Sequence, residues 1–202
     1  AEKYYDNYKH SVPLLLKLNG RTSIPRVEPI SRQICSVKHA VNLGASAVGY
    51  TVYLGSTHES EMFQEFSKIQ EEAHQFGLPV IAWMYPRGMA VTDPNSIEMT
   101  AYAARAGLEL GADAVKVAYN GDILGFKWVV ANAGKAKVLA AGGTPKSDIE
   151  FLKNAFDVMQ ANAHGMVVGR QVWMNQNPLN MVKALKKVIF EEKRVNQAIK
   201  LI

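Results

Sequence analysis

A single cysteine, Cys35, stands in the 202 residues, so no internal disulfide can form. With no adjacent histidine, its thiol reads as packed and inert rather than nucleophilic. Histidine is sparse as well. The five present, His10, His39, His58, His74 and His164, fall on expected helices, helix ends or the N-terminal segment. No two have the His-x-x-x-His spacing that sets two imidazoles on one helix face around a metal. The expectation is a protein with no metal and no cofactor. A Gly-x-Gly-x-x-Gly turn is missing too, which argues against an open dinucleotide-binding sheet. No apolar run has the length of a membrane span and no signal-peptide pattern occurs, so the expectation is a cytoplasmic protein with no membrane partner. Acidic residues are outnumbered by basic ones, 18 to 23, for a net charge of +5. The basic residues are nevertheless dispersed. Only Lys183, Lys186, Lys187, Lys193 and Arg194 gather, on an amphipathic helix expected from Pro178 to Ile199, and such a run reads as a solvated helix face rather than a nucleic-acid footprint. The charge excess suits a phosphorylated metabolite.

What the sequence does contain is one pattern, repeated. An amphipathic helix closes on a small residue, a short apolar strand follows, and a polar or glycine-rich loop ends the unit. The pattern runs through "SVPLLLKLNGRTS", "LGASAVGYTVYLGS", "FGLPVIAWMYPRG", "LGADAVKVAYNGD", "AGKAKVLAAGGTP" and "AHGMVVGRQVW". Between these lie segments with apolar residues at i, i+3 and i+4, such as "HESEMFQEFSKIQEEAHQF", "SIEMTAYAARAGLEL" and "KSDIEFLKNAFDVMQAN". Gly44, Gly77, Gly111 and Gly134 stand where a helix ends on a left-handed residue. Strand alternating with helix predicts an α/β protein with a parallel sheet. The closed TIM (β/α)8 barrel is favoured over an open sheet, because the strands pair a bulky face with a small one that ends in polar groups. About six strand units are present where an eight-unit barrel of about 250 residues needs two more. Residues 1–202 are therefore expected to form one barrel domain, N-terminally incomplete, entered from the polar "AEKYYDNYKH".

One strand carries an anomaly. In "LGADAVKVAYNGD", Val115, Val117 and Tyr119 alternate with Ala114, Lys116 and Ala118, so an ammonium sits on the small face of an apolar strand. A lysine buried without a partner loses its charge and becomes a nucleophile, whereas one at a strand end snorkels into water. In "IAWMYPRG", Trp83 and Tyr85 share a face. Lys17, in "LLLKLNG", repeats the buried-lysine pattern and would lower the pKa of Lys116 by like charge.

From "AEKYYD" to the last helix, the chain resembles the archaeal-type class I fructose-1,6-bisphosphate aldolases. The stretches that carry the resemblance are "VPLLLKLNGRTS", "SVKHAVNLGASAVGYTVYLGS", "EMFQEF", "GLPVIAWMYPRG", "AYAARAGLELGADAVKVAYNGD", "AAGGTPKSDIEFLK" and "GMVVGRQVW", in this order. The resemblance implies a barrel of which the first two units are missing, together with the aspartate that the family carries at the end of its first strand. It implies that Lys116 forms a Schiff base with the ketose, that Tyr85 is the acid/base, and that Trp83 shapes the pocket. The substrate's phosphate would lie against Ala141, Gly142 and Gly143 and against Gly169 and Arg170, with Ala141 standing where relatives often carry a serine. Arg87 matches a substrate-contacting arginine, and Lys17 is grouped with these substrate-side residues. The implied reaction is reversible cleavage of fructose 1,6-bisphosphate without a metal or cofactor, in a homo-oligomer that is a decamer by resemblance. Two other readings are a related Schiff-base enzyme, such as a 2-amino-3,7-dideoxyheptulosonate synthase, and a non-catalytic barrel fragment serving as an assembly subunit.

Overall fold

The computed structural model describes residues 12–143 and 147–202. The N-terminal "AEKYYDNYKH" segment with His10, and the "TPK" of the glycine loop, lie outside the described residues. Six parallel strands form one sheet: β1 (Leu15–Lys17), β4 (Ala47–Leu54), β5 (Val80–Pro86), β6 (Ala114–Ala118), β7 (Lys137–Ala141) and β8 (Gly165–Val167), hydrogen-bonded in that order. Each strand pairs with the next parallel strand along the chain, so the order never reverses as it does in a doubly wound sheet. The result is a curled wall of barrel type rather than an open sheet with a crevice at a switch point. A two-residue antiparallel pair, β2 (Asn19–Gly20) with β3 (Arg32–Gln33), projects beyond β1.

The helices between the strands are α1 (Val37–Asn42), α2 (Glu59–Gln75), α3 (Ile97–Glu109), α4 (Ile123–Asn132) and α5 (Asp148–Gln160). Their starts are encoded locally. Ser36, Ser96 and Ser147 each accept a hydrogen bond from a first-turn backbone N–H, and Ser147 with Glu150 makes a reciprocal capping box. Their ends are encoded too, since Gly44, Gly77, Gly111 and Gly134 have φ of 69°, 69°, 85° and 56°, the left-handed region in which a side chain is strained.

Alternation along the strands divides the wall into two faces. Val48, Tyr50, Val52, Val80, Ala82, Met84, Val115, Val117, Val138 and Ala140 belong to the main core, with Met62, Phe66 and Ile69 of α2 and Phe126 and Val129 of α4. Ile81, Trp83 and Ala114 form a separate small cluster on the opposite, inward face, with Ala47, Tyr85 and Leu139 beside them. Past the short α6 (Arg170–Trp173), a third cluster joins α5 to α7 (Pro178–Phe190) and α8 (Val195–Ala198) through Phe151, Leu152, Met181, Leu185 and Val188. The long helix expected from Pro178 to Ile199 is thus two helices. It stops at Phe190, Glu192 turns to φ 53°, and the N–H of Lys193 donates to the Lys187 carbonyl. Lys193 and Arg194 therefore leave the helix, and the expected basic face is shortened to Lys183, Lys186 and Lys187.

Asn19 holds the β2–β3 arm to the sheet. It is 2% exposed; its Nδ2 donates to the carbonyls of Ser31 and Thr51, and its Oδ1 accepts from the Thr51 N–H. Removing a side chain that completes three buried backbone partners leaves polar groups stranded. Asn19→Ala should therefore cost at least about 2 kcal/mol, read as a lowered urea midpoint; an unchanged midpoint would show that the network contributes nothing.

Candidate active site

Lys116 occupies the middle of β6 on the inward face, between Ala114 and Ala118. Parallel pairing sets it level with Trp83 on β5, and Tyr85 follows two residues on. Its Nζ lies 5.7 Å from the centroid of the Trp83 ring and 5.6 Å from that of Tyr85, within reach of cation–π attraction. Among the described residues it has no carboxylate partner. Burial is the main cause that brings its pKa down to about 8, and the like charge of Lys17 adds to the lowering. A lowered value makes the neutral, nucleophilic form accessible close to neutral pH. The two rings favour the cation, in the opposite sense to burial and to the Lys17 charge.

Lys17 sits on β1 with its Nζ donating to the Asn19 carbonyl at 2.8 Å, and burial lowers its pKa. Tyr85 is half-buried. Burial pushes its phenol upward, the Arg87 guanidinium opposes this, and Tyr53 adds to the rise. The Tyr53 ring, opposite Tyr85 in register, stacks on it at 6.4 Å and 27°. The Arg87 Cζ lies 5.4 Å from the Tyr85 centroid. The turn that carries Arg87 is pinned by its N–H to the Leu54 carbonyl, and Glu28 accepts from the N–H groups of both Thr57 and Met89. One carboxylate so ties the loops after β4 and β5 together.

A cavity of about 950 Å³ opens at the C-terminal ends of the strands. Tyr85, Arg87, Lys116, Ala141, Gly142, Gly143, Gly169 and Arg170 all line it. Trp83 lies below it against Lys116, and Lys17 is set apart on β1, outside its lining. Arg87, Lys116 and Arg170 are the cations of that lining, and among the described residues no aspartate or glutamate joins them. Such a site attracts an anion. Gly143 makes room for one, with φ 69° and nothing within 4 Å of where a side chain would start, whereas the Gly142 N–H is committed to the Val167 carbonyl. Ala141 offers no hydroxyl there. Sequence reasoning missed Asn95, Tyr119, Asn154 and Trp173 on the lining, and Tyr53 beneath it. Tyr53 was in principle accessible, since it has the inward parity of Thr51 and Gly49 on a strand that ends at Leu54.

Comparison with known proteins matches this geometry to a chemistry. The profile described as DeoC/LacD family aldolase matches residues 1–175. The class 1 fructose-bisphosphate aldolase of Thermoproteus tenax is 48% identical over 196 residues, covering 96% of this chain and 73% of that protein. That of Halobacterium salinarum is 41% identical over 199 residues, covering 98% and 76%. A solved archaeal fructose-1,6-bisphosphate aldolase, with its catalytic lysine covalently bound to the carbinolamine intermediate of the substrate, superposes with a TM-score of 0.89 at 48% identity, covering 93% of this chain and 74% of that one. The chain therefore belongs to the DeoC/LacD family of aldolases, on the branch of the class 1 fructose-bisphosphate enzymes.

Proposed function

We propose that this protein cleaves fructose 1,6-bisphosphate reversibly to glyceraldehyde 3-phosphate and dihydroxyacetone phosphate, with Lys116 as the Schiff-base nucleophile. The observation that carries the reading is an unpaired, half-buried amine facing a cavity lined by cations and glycines. The neutral amine attacks the C2 carbonyl, and loss of water from the carbinolamine leaves an iminium. As the C4 hydroxyl gives up its proton, the C3–C4 electron pair moves into the iminium and the aldehyde departs. Protonation of the resulting enamine at C3, then hydrolysis, frees the ketone and the lysine. Tyr85 is the acid/base of this cycle; burial keeps its phenol protonated, which suits the enamine step. Gly143, Gly169 and Arg170 hold the phosphate next to the attacked carbonyl, with Gly142 beside them, and Arg87 contacts the substrate from the β5 loop. Trp83 packs against the amine, and Lys17 keeps the local potential positive. The setting is cytoplasmic; no helix among the described residues is long and apolar enough to cross a membrane.

Borohydride added to the protein with dihydroxyacetone phosphate should label Lys116, found by peptide mapping. The labelling rate should climb with pH through about 8 as the amine discharges. Label on another residue, or none, would sink the mechanism. Lys116→Ala should remove activity by several orders of magnitude with an unchanged far-UV spectrum, because no other group supplies the covalent step.

Tyr85→Phe should lower kcat by about 10²–10⁴-fold and leave imine trapping in place. Unchanged turnover would reduce Tyr85 to packing.

We also read the protein as a homo-oligomer, a decamer on the family resemblance. The outer side of α7 exposes Leu179, Val182 and Phe190, a face suited to contact with another copy. Light scattering should return a multiple of the monomer mass; an active monomer would refute this assembly.

A further inference from the structure

Gly49 is at odds with its position. It lies inside β4, where glycine weakens a strand, and its φ is not in the left-handed region that would require glycine. The reason is space. A Cβ built on Gly49 would stand 1.8 Å from Cζ3, 2.2 Å from Cη2 and 3.1 Å from Cε3 of Trp83. All three atoms belong to the six-membered ring of one rigid indole, so no flexible tip can give way. Trp83 is itself buried, and Tyr85 follows it on the same face of β5. The indole thus fills the inward slot that β4 leaves empty at this level, while Lys116 meets the same ring system at 5.7 Å.

We propose that Gly49 is a positioning residue for the Schiff-base lysine: its missing side chain is the seat of the Trp83 indole, and the seated indole fixes where the Lys116 amine stands. The inference rests on the reading of Lys116 as the nucleophile. A methyl group at Gly49 displaces the indole, and a displaced indole moves a wall of the amine's pocket. The phosphate cradle on the β7 and β8 loops lies on other strands and is untouched, so the loss falls on kcat rather than on KM.

The test is a double-mutant cycle on the native protein, reading turnover of fructose 1,6-bisphosphate and the rate of borohydride-trapped imine with dihydroxyacetone phosphate. Gly49→Ala should slow both by about 10²-fold, the scale of an ångström-level misplacement, with KM little changed. Trp83→Leu removes all three colliding atoms, so adding Gly49→Ala to it should cost nothing further. Equal costs of Gly49→Ala in both backgrounds would overturn the proposal, as would a single variant that traps imine at the wild-type rate. Should Gly49→Ala not fold, recovery of folding and of the Trp83→Leu imine rate in the double variant supports the contact. A double variant that also fails to fold assigns Gly49 to the strand backbone and overturns it. The wild type, run in parallel, separates the two claims: absence of trapped imine there defeats the reading of Lys116, not the seat of Trp83.

Discussion

Everything at this site depends on an amine drawn partly out of water with no counter-ion beside it. A carboxylate beside Lys116 would hold it charged and useless as a nucleophile. The sheet instead surrounds it with two aromatic rings, flanking alanines and a second amine. Burying an unpaired lysine destabilises a fold, and the rest of the wall offsets that cost. The outward face of the same strands is apolar and packed against helices, with Val115 and Val117 fully or almost fully buried on either side of the lysine. Stability and chemistry are carried by alternate residues of one strand.

The cations divide according to what their charge can do. A guanidinium does not discharge at any pH a protein experiences, so Arg87 and Arg170 suit phosphate oxygens at the mouth. An ammonium can be discharged by burial, so the lysine suits the carbonyl in the proposed reaction. Placing fixed charges beyond the strand ends and the dischargeable one within a strand follows from solvent access. The loops reach water and cost little to charge, whereas the strand interior withholds water and lowers the pKa. The substrate brings the negative charge that the cavity lacks, which makes recognition of an anion and relief of repulsion the same event.

Much of this was legible in the sequence because it is written in local periods. The alternation around Lys116, the shared face of Trp83 and Tyr85 and the four helix-closing glycines are all properties of a few adjacent residues. The gathering of Ala141, Gly142, Gly143, Gly169 and Arg170 along one cavity was legible through the resemblance. What was not legible depends on register between strands or on a compromise at an element's end. Nothing local tells that Gly49 faces Trp83, since the contact exists only once β4 and β5 are paired. Asn19 looks like a turn residue until Ser31 and Thr51 are brought to it. The helix period continues past Phe190 through charged residues, and the chain turns at Glu192 because α8 must pack Ala198 against α5 and α7.

Register is where fold energetics and chemistry meet. A strand's side-chain period is two, so sliding or twisting β6 by one residue would send Lys116 into the helix layer and Val115 or Val117 into the cavity. The outer core prevents this: Val80 and Ala82 of β5, Val115 and Val117 of β6, and Val138 and Ala140 of β7 all need the same face, and each pair of strands is locked by that demand. The inward face makes a weaker demand, since it mixes Ile81, Trp83, Tyr85 and Leu139 with a glycine, alanines and two lysines. The residues that face the cavity therefore do not place themselves. They are placed by the residues between them, whose only requirement is to leave water.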